Sequence, residues 1–236
     1  MKKLIRVAIN DFRLVFRDNS LKIFIVLPLL VLIFTRYGVP YIVEIYPVVR
    51  EYIAIILMLA SIQGPIAFGF IYSMVLMDEK DTSVAKVYGV LPISKFWFVV
   101  FRLLPPYLLA TLTTFLLLLV EPFYRLDVGE NLVYSVVVGL TVPLMIVFIP
   151  IVASNKIEAM TWQKLFNLPL FLPIAAFFVP AGIALLFAVF PTYWAYKGFS
   201  ALIGGRVAWG FLLTGAAYSV VLVVLMIRRF TRTHFR

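Results

Sequence analysis

The chain has 236 residues, 64% hydrophobic and only 14% charged, with a mean hydropathy of +1.05. A soluble domain carries about 25% charged residues, so the composition excludes a water-soluble globule and points to a polytopic membrane protein. With no Cys and a single His (His234), disulfides, Cys/His zinc sites and His-activated nucleophiles are excluded, and no metal-ligand set is expected.

Residues 2–18 open the chain with Ile5, Ala8, Ile9, Phe12, Val15 and Phe16 at helical spacing, opposite Arg6, Asn10, Arg13 and Arg17. A helix greasy on one side and basic on the other lies flat among lipid headgroups, so an amphipathic interfacial helix is expected over 1–20. No cleavage site follows the first apolar run, so no removed leader is expected.

Six apolar stretches follow, at 22–42, 52–77, 97–120, 132–153, 168–190 and 207–227. Backbone groups in hydrocarbon must be satisfied within their own segment, and the period-two alternation of a barrel is missing. The expected fold is therefore all-α, one membrane domain over 1–236 with six transmembrane helices. Proline recurs in nearly every span (Pro28, Pro65, Pro105, Pro106, Pro143, Pro150, Pro169, Pro173 and Pro180), each removing a backbone donor and kinking its helix.

Placing both termini on one side puts 16 of the 21 Lys and Arg there and leaves Arg36, Arg50, Arg125, Lys197 and Arg206 opposite. The positive-inside rule makes the richer side cytoplasmic, in a multi-pass cell-membrane protein. The net charge of +10 is thus an orientation signal and not a nucleic-acid footprint.

Between the second and third spans, four consecutive charges, Asp78, Glu79, Lys80 and Asp81, open a cytoplasmic segment over 78–95. An acidic start suits a helix N-terminus. Val84, Val87, Tyr88 and Leu91 then recur at i, i+3, i+4 and i+7 before Pro92 ends the turn, a greasy ridge suited to a partner's groove. On the outer side, "FPTYWAYKGF" is too short to span and too aromatic for a solvated loop. It predicts a re-entrant or interfacial helix over 190–206, with Pro191 at its start and Tyr193, Trp194, Tyr196 and Phe199 at the membrane interface.

Acidic residues are missing from mid-depth, which argues against an ion pump or proton-coupled carrier. Arg36 and Arg102 fall near span ends, where long side chains snorkel. The sequence holds no G-x-S-x-G elbow, no H-E-x-x-H and no P-loop, so no catalytic residues and no ATP site of its own are expected. Ser61, Gln63, Tyr72, Thr111, Thr114 and Thr141 are the candidates for a weakly polar substrate path, or else for helix–helix contacts.

The ordered set of motifs resembles the type-2 ABC transporter permease family, the membrane subunits of exporters. The amphipathic start runs into "NDFRLVFRDNSLKIFIVLPLL", where Arg17, Asp18 and Pro28 fit and Asn19 replaces a proline. "DEKDTSVAKVYGVLPIS" is similar to the family's coupling helix through Glu79, Pro92 and Ser94, with Thr82-Ser83 where Gly-Thr is usual. "SNKIEAMTWQKLFNLPL" resembles the loop before the fifth span, and "FPTYWAYKGF" the outer segment of bacterial permeases labelled fluoroquinolone or multidrug exporters. The resemblance implies pairing with a second copy or a sister permease, and docking on a cytoplasmic ABC ATPase that holds ATP and magnesium. No cofactor is then expected in this chain, whose cargo would be apolar or amphiphilic. A scaffold or small channel working without ATP is the rival reading.

Overall fold

The computed structural model describes residues 19–84, 88 and 94–233, and all regular structure among them is helical. Apart from its last two residues, the amphipathic helix expected over 1–20 lies outside the described residues, as do Val87, Leu91 and Pro92.

The first crossing joins α1 (Asn19–Ile33) to α2 (Val39–Ile45) through a π-helical turn at Phe34–Gly38. The second runs from a 3-10 turn at Pro47–Tyr52 through α3 (Ile53–Ser61) into α4 (Gln63–Asp81). The third is α5 (Lys95–Val120); the fourth is α6 (Val128–Gly139) followed by α7 (Thr141–Val152). After α8 (Lys156–Phe171) come 3-10 turns at Leu172–Phe177 and Leu185–Val189 flanking the short α9 (Ala181–Ala184), then α10 (Pro191–Ile203) and α11 (Trp209–Thr233). Five helical stretches are long and apolar enough to cross a membrane: Ile23–Ile45, Pro47–Asp81, Lys95–Val120, Val128–Val152 and Trp209–Thr233.

The stretch expected as one continuous span over 168–190 is broken. Helix α8 starts 12 residues earlier, at Lys156, and the chain beyond Phe171 winds through 3-10 turns. Pro169, Pro173 and Pro180 each withhold a backbone donor within 12 residues, more than one α-helix can absorb.

Burial is uneven. The second and fourth crossings are mostly enclosed, whereas the first and last turn most of their surface outward. A shared core joins them through Leu57, Ile71, Met74, Tyr134, Val142 and Met145. Both central crossings are interrupted near mid-length, and the reason is local. Pro65 has no N–H to give the Ser61 carbonyl, so α3 ends there; the Thr114 hydroxyl on α5 donates to that carbonyl instead, at 2.8 Å. The fourth crossing breaks at Leu140, three residues before Pro143, which likewise cannot donate to the Gly139 carbonyl.

Helix α10 lies antiparallel against the first turns of α11. Gly198 faces Leu212, Gly215 faces Trp194, and the Tyr218 hydroxyl donates to the Val189 carbonyl at 2.7 Å, so the chain descends beside α11 and climbs back. A helix thus stands at Pro191–Ile203, within the segment 190–206, packed along α11. Trp194 is half-buried, but the other three aromatic residues are not half wet. Tyr193, Tyr196 and Phe199 are buried: the Tyr196 hydroxyl donates to the Leu170 carbonyl at 3.0 Å, and Phe199 packs 5.0 Å from the ring of Tyr134. Their spacing of three puts them on one side of α10, and that side faces the bundle instead of lipid.

A side chain at Gly198 would drive a Cβ into Leu212, and one at Gly215 would sit 2.8 Å from the Trp194 Cβ. Small residues permit this approach where apolar collapse cannot drive helices together. Gly198→Leu should therefore separate α10 from α11 and cost about 1–3 kcal/mol, as overpacking does. The check is thermal unfolding of the purified protein in detergent, with Gly182→Leu, an open position, expected to behave as wild type.

Candidate functional site

The end of the bundle carrying Asp81, Lys95, Val152, Lys156 and Thr233 holds the charges that matter. Asp78–Asp81 do not begin a separate helix, as the sequence suggests; they form the last turn of α4. Carboxylates at a helix C-terminus oppose the macrodipole, so each needs a cation or donor from elsewhere. The three carboxylates find one, and Lys80 finds acceptors, on or at the ends of three other helices.

Glu79 and Arg102 form the innermost pair. Both are buried, at 7% and 6% exposure, and the guanidinium donates from both terminal nitrogens to the two carboxylate oxygens at 2.8 and 2.6 Å. Arg102 is therefore not a snorkelling side chain. It sits inside the α4–α5 contact, where an unpaired cation would be too costly to keep. Its Cζ also lies 5.3 Å from the Phe98 ring and 5.7 Å from the Tyr88 ring.

The neighbours radiate outward. The Lys80 ammonium donates to the carbonyls of Pro150 and Ala153, at 3.0 and 2.6 Å, closing the C-terminal end of α7. Asp78 accepts from the Lys156 ammonium at 2.9 and 3.1 Å, and Asp81 accepts from the Lys156 backbone N–H at 3.2 Å. Helix α4 then stops: Thr82 donates to the Asp78 carbonyl from both its N–H and its hydroxyl, and Ser83 turns left-handed at φ 59°. A glycine usually fills such a terminating position.

Helix α8 starts beside this hub with a reciprocal cap. The Asn155 side chain accepts from the Glu158 N–H, and the Glu158 carboxylate accepts from the Ser154 N–H and the Trp162 indole, all between 2.9 and 3.1 Å. Hydrogen bonds from Ser154 and Trp162 hold the Glu158 carboxyl below its ordinary value of 4.5.

Of the predicted docking ridge, Val84 is exposed and Tyr88 is half-buried, its ring 5.2 Å from Phe98 on the chain's own α5. Two apolar residues that sequence reasoning did not single out are exposed at the same end: Ile157, at 82%, and Met160. They sit on the first turn of α8, next to Lys156 and its Asp78 partner. The missed pair, Glu79 with Arg102, did leave one signal in the sequence. An arginine inside a 26-residue apolar helix calls for a counter-charge.

The path candidates are brought together only in part. Ser61 and Thr114 meet through the carbonyl bond described above, and the Ser61 hydroxyl also contacts the Tyr134 hydroxyl at 2.9 Å. Gln63 donates to the Leu59 carbonyl and Thr141 to the Val138 carbonyl, each within its own crossing. Thr111 packs on Gly139, and Tyr72 lines a small void with Arg102 and Phe230. Larger spaces lie elsewhere. An apolar groove of about 250 Å³ includes Phe148, Trp162, Phe166 and Pro191; another of about 300 Å³ includes Phe96, Trp97, Tyr107 and Val224. At the opposite end an open recess of about 550 Å³ is lined by Arg36, Glu121, Tyr124, Arg125 and Asn131. Burial raises the Glu121 carboxyl there, although the N–H groups of Phe123 and Tyr124 bond its charged form.

A multi-pass helical bundle with polar groups spent on helix breaks and a cluster of ion pairs at one end is the build of a polytopic membrane protein. Residues 11–227 match the family described as fluoroquinolones export permease protein Rv2686c-like, and the chain belongs to that family of ABC-type exporter permeases. It is 26% identical over 240 residues to the fluoroquinolones export permease protein Rv2686c of Mycobacterium tuberculosis strain H37Rv, covering 95% of this chain and 92% of the relative. The same figures hold for the fluoroquinolones export permease protein MT2760 of strain CDC 1551. No solved structure matches the chain.

Removing one partner of the buried pair should be severe. Arg102→Ala leaves the Glu79 carboxylate enclosed without its fork and should cost about 3–5 kcal/mol, whereas Glu79→Met with Arg102→Met should recover most of that loss. Denaturant titration of helical signal in detergent measures both. The α8 cap predicts a pH effect of defined sign. Because the folded Glu158 pKa lies below 4.5, its stabilisation is present above that pH and is lost as pH falls through the folded value. The protection factors of the amides over 154–162, which are relative to the intrinsic exchange rate at each pH, should fall on acidification in wild type, and Glu158→Gln should flatten the response.

Proposed function

We propose that the chain is the membrane half of an ATP-driven exporter, paired with a second copy or a sister permease and driven by a cytoplasmic ABC ATPase that binds ATP and magnesium. The observation that carries this reading is the hub at Asp78–Asp81, which ties α4, α5, α7 and α8 together at one end of the bundle. A push delivered there reaches both central crossings. The spans carry no acidic group at mid-depth to sense a proton gradient, so the drive comes from a partner. Val84, Ile157 and Met160 are the apolar contacts that partner would cover.

In this reading α8 with the following 3-10 turn, its first turns and Glu158 at the cytoplasmic surface, makes a further crossing, the fifth in chain order. Both termini and the hub then face the cytoplasm, and α10 re-enters from outside. The cargo is a flat aromatic amphiphile of the fluoroquinolone kind. Two aromatic-lined grooves of about 250 and 300 Å³ suit such a molecule, and relatives at 26% identity carry that substrate in their names.

The test is co-expression with a candidate cytoplasmic ABC ATPase from the same genome and assay in inverted vesicles. ATP should drive accumulation of a fluoroquinolone, and an uncoupler should leave it unchanged. Val84→Asp with Ile157→Asp should abolish ATPase pull-down while expression persists. A reporter after Arg236 should read cytoplasmic and one near Asp127 external. Transport that continues without ATP and stops with an uncoupler would sink the reading.

A further inference from the structure

Opposite the hub, the recess of about 550 Å³ at the α5–α6 turn gathers two cations that the fold does not neutralise. Arg36 comes from the π-helical turn of the first crossing, where Thr35 is buried and Arg36 exposed. Arg125 comes from the loop after α5. That loop is pinned where the buried Glu121 carboxylate accepts the N–H groups of Phe123 and Tyr124, at 2.7 and 2.8 Å. Glu121 is thereby spent on its own turn. Among the described residues neither guanidinium forms an ion pair, and that of Arg36 lies 5.9 Å from the ring of its neighbour Tyr37. Two arginines less one glutamate leave the lining at +1.

An apolar stripe starts at the same place. Leu119 lines the recess, and Leu112 and Leu108 stand seven and eleven residues before it on α5, all three exposed. At 100° per residue they fall within about 20° of one line, along about 16 Å of helix. Helix α5 has 26 residues, about 39 Å, so its end stands at headgroup depth once it crosses the hydrocarbon. A cationic recess at that depth, with an apolar track running from it into the bilayer, is complementary to an amphiphile with an oxyanion head. Planar guanidiniums bind phosphate oxygens two at a time. We propose that the recess holds the phosphodiester of an anionic glycerophospholipid on Arg36 and Arg125, with one acyl chain along Leu119, Leu112 and Leu108. A soluble oxyanion would use the arginines and leave the stripe bare. The assignment does not depend on the exporter reading, because it needs only the bilayer.

The experiment uses the full chain purified in neutral detergent, with native mass spectrometry counting the phosphatidylglycerol it retains. Wild type should hold one molecule, against about tenfold weaker retention of phosphatidylcholine, whose ammonium meets a positive lining, and inorganic phosphate should not displace it. Arg36→Gln with Arg125→Gln should weaken retention about a hundredfold, about tenfold for each charged donor removed. Arg50→Gln with Arg206→Gln removes the same charge outside the recess and should retain lipid as wild type does. Both recess arginines are exposed and outside any ion pair among the described residues, so thermal unfolding without lipid should be unchanged in their double variant.

A second arm needs no substitution. Phosphatidylglycerol carrying a diazirine on its acyl chain should crosslink wild type within residues 108–126. Wild-type retention by the Arg36 and Arg125 double variant overturns the assignment, as does equal loss in the Arg50 and Arg206 control. Equal retention of phosphatidylcholine removes the anionic preference and overturns it too. Displacement by inorganic phosphate, or by a fluoroquinolone at equal concentration, assigns the recess to a soluble anion or to cargo instead of lipid. Crosslinks confined to other segments overturn it even where the variants fail to fold.

Discussion

The end of α4 carries four charged residues in sequence, and each step along a helix turns the side chain by about 100°. Asp78, Glu79, Lys80 and Asp81 therefore point in four directions, and no single neighbour can answer them all. The structure meets this constraint by gathering α5, α7 and α8 around the α4 terminus: α5 answers Glu79, the end of α7 answers Lys80, and α8 answers both Asp78 and Asp81. Charges near hydrocarbon are tolerated only with partners, so the hub fixes which helix ends must lie side by side.

The same logic operates at mid-depth with neutral groups. Proline interrupts both central crossings, and a membrane offers no water to the carbonyls it orphans. Thr114 answers the Ser61 carbonyl from across the α3–α5 contact, and Tyr134 reaches the Ser61 hydroxyl from α6. The break in one helix thus becomes a reason for three to pack. Ser61 and Thr114 serve here as joints, and the two grooves of about 250 and 300 Å³ are aromatic and apolar.

For an export permease this division has a consequence. The spans hold few groups that could respond to voltage or protons, while one end concentrates ion pairs over four helices. A force applied at that end is shared by the central crossings, because the contacts are short and at their core enclosed. The exposed Ile157 and Val84 flank the hub, so an apolar contact there would abut the ion pairs that join the helices.

Much of this was legible in the residues alone. Run length and lipid chemistry dictate helices, and basic residues mark one side, because those are local or additive properties of the sequence. The ordered motifs carry the family, and the aromatic run before the last span marks a short separate helix, Pro191–Ile203. Other features depended on what stands opposite. The acidic run reads as a helix start in sequence because it precedes a greasy period; only the fold shows α4 continuing through it, since the stabilising cations arrive from Arg102 and Lys156. Tyr193, Tyr196 and Phe199 have the chemistry of an interface and the position of a core, decided by Gly198 and Gly215 letting α10 approach α11. Period and composition are set by each residue and its near neighbours in the chain. Pairing across 23 or 78 residues is a property of packing, and no local pattern encodes it.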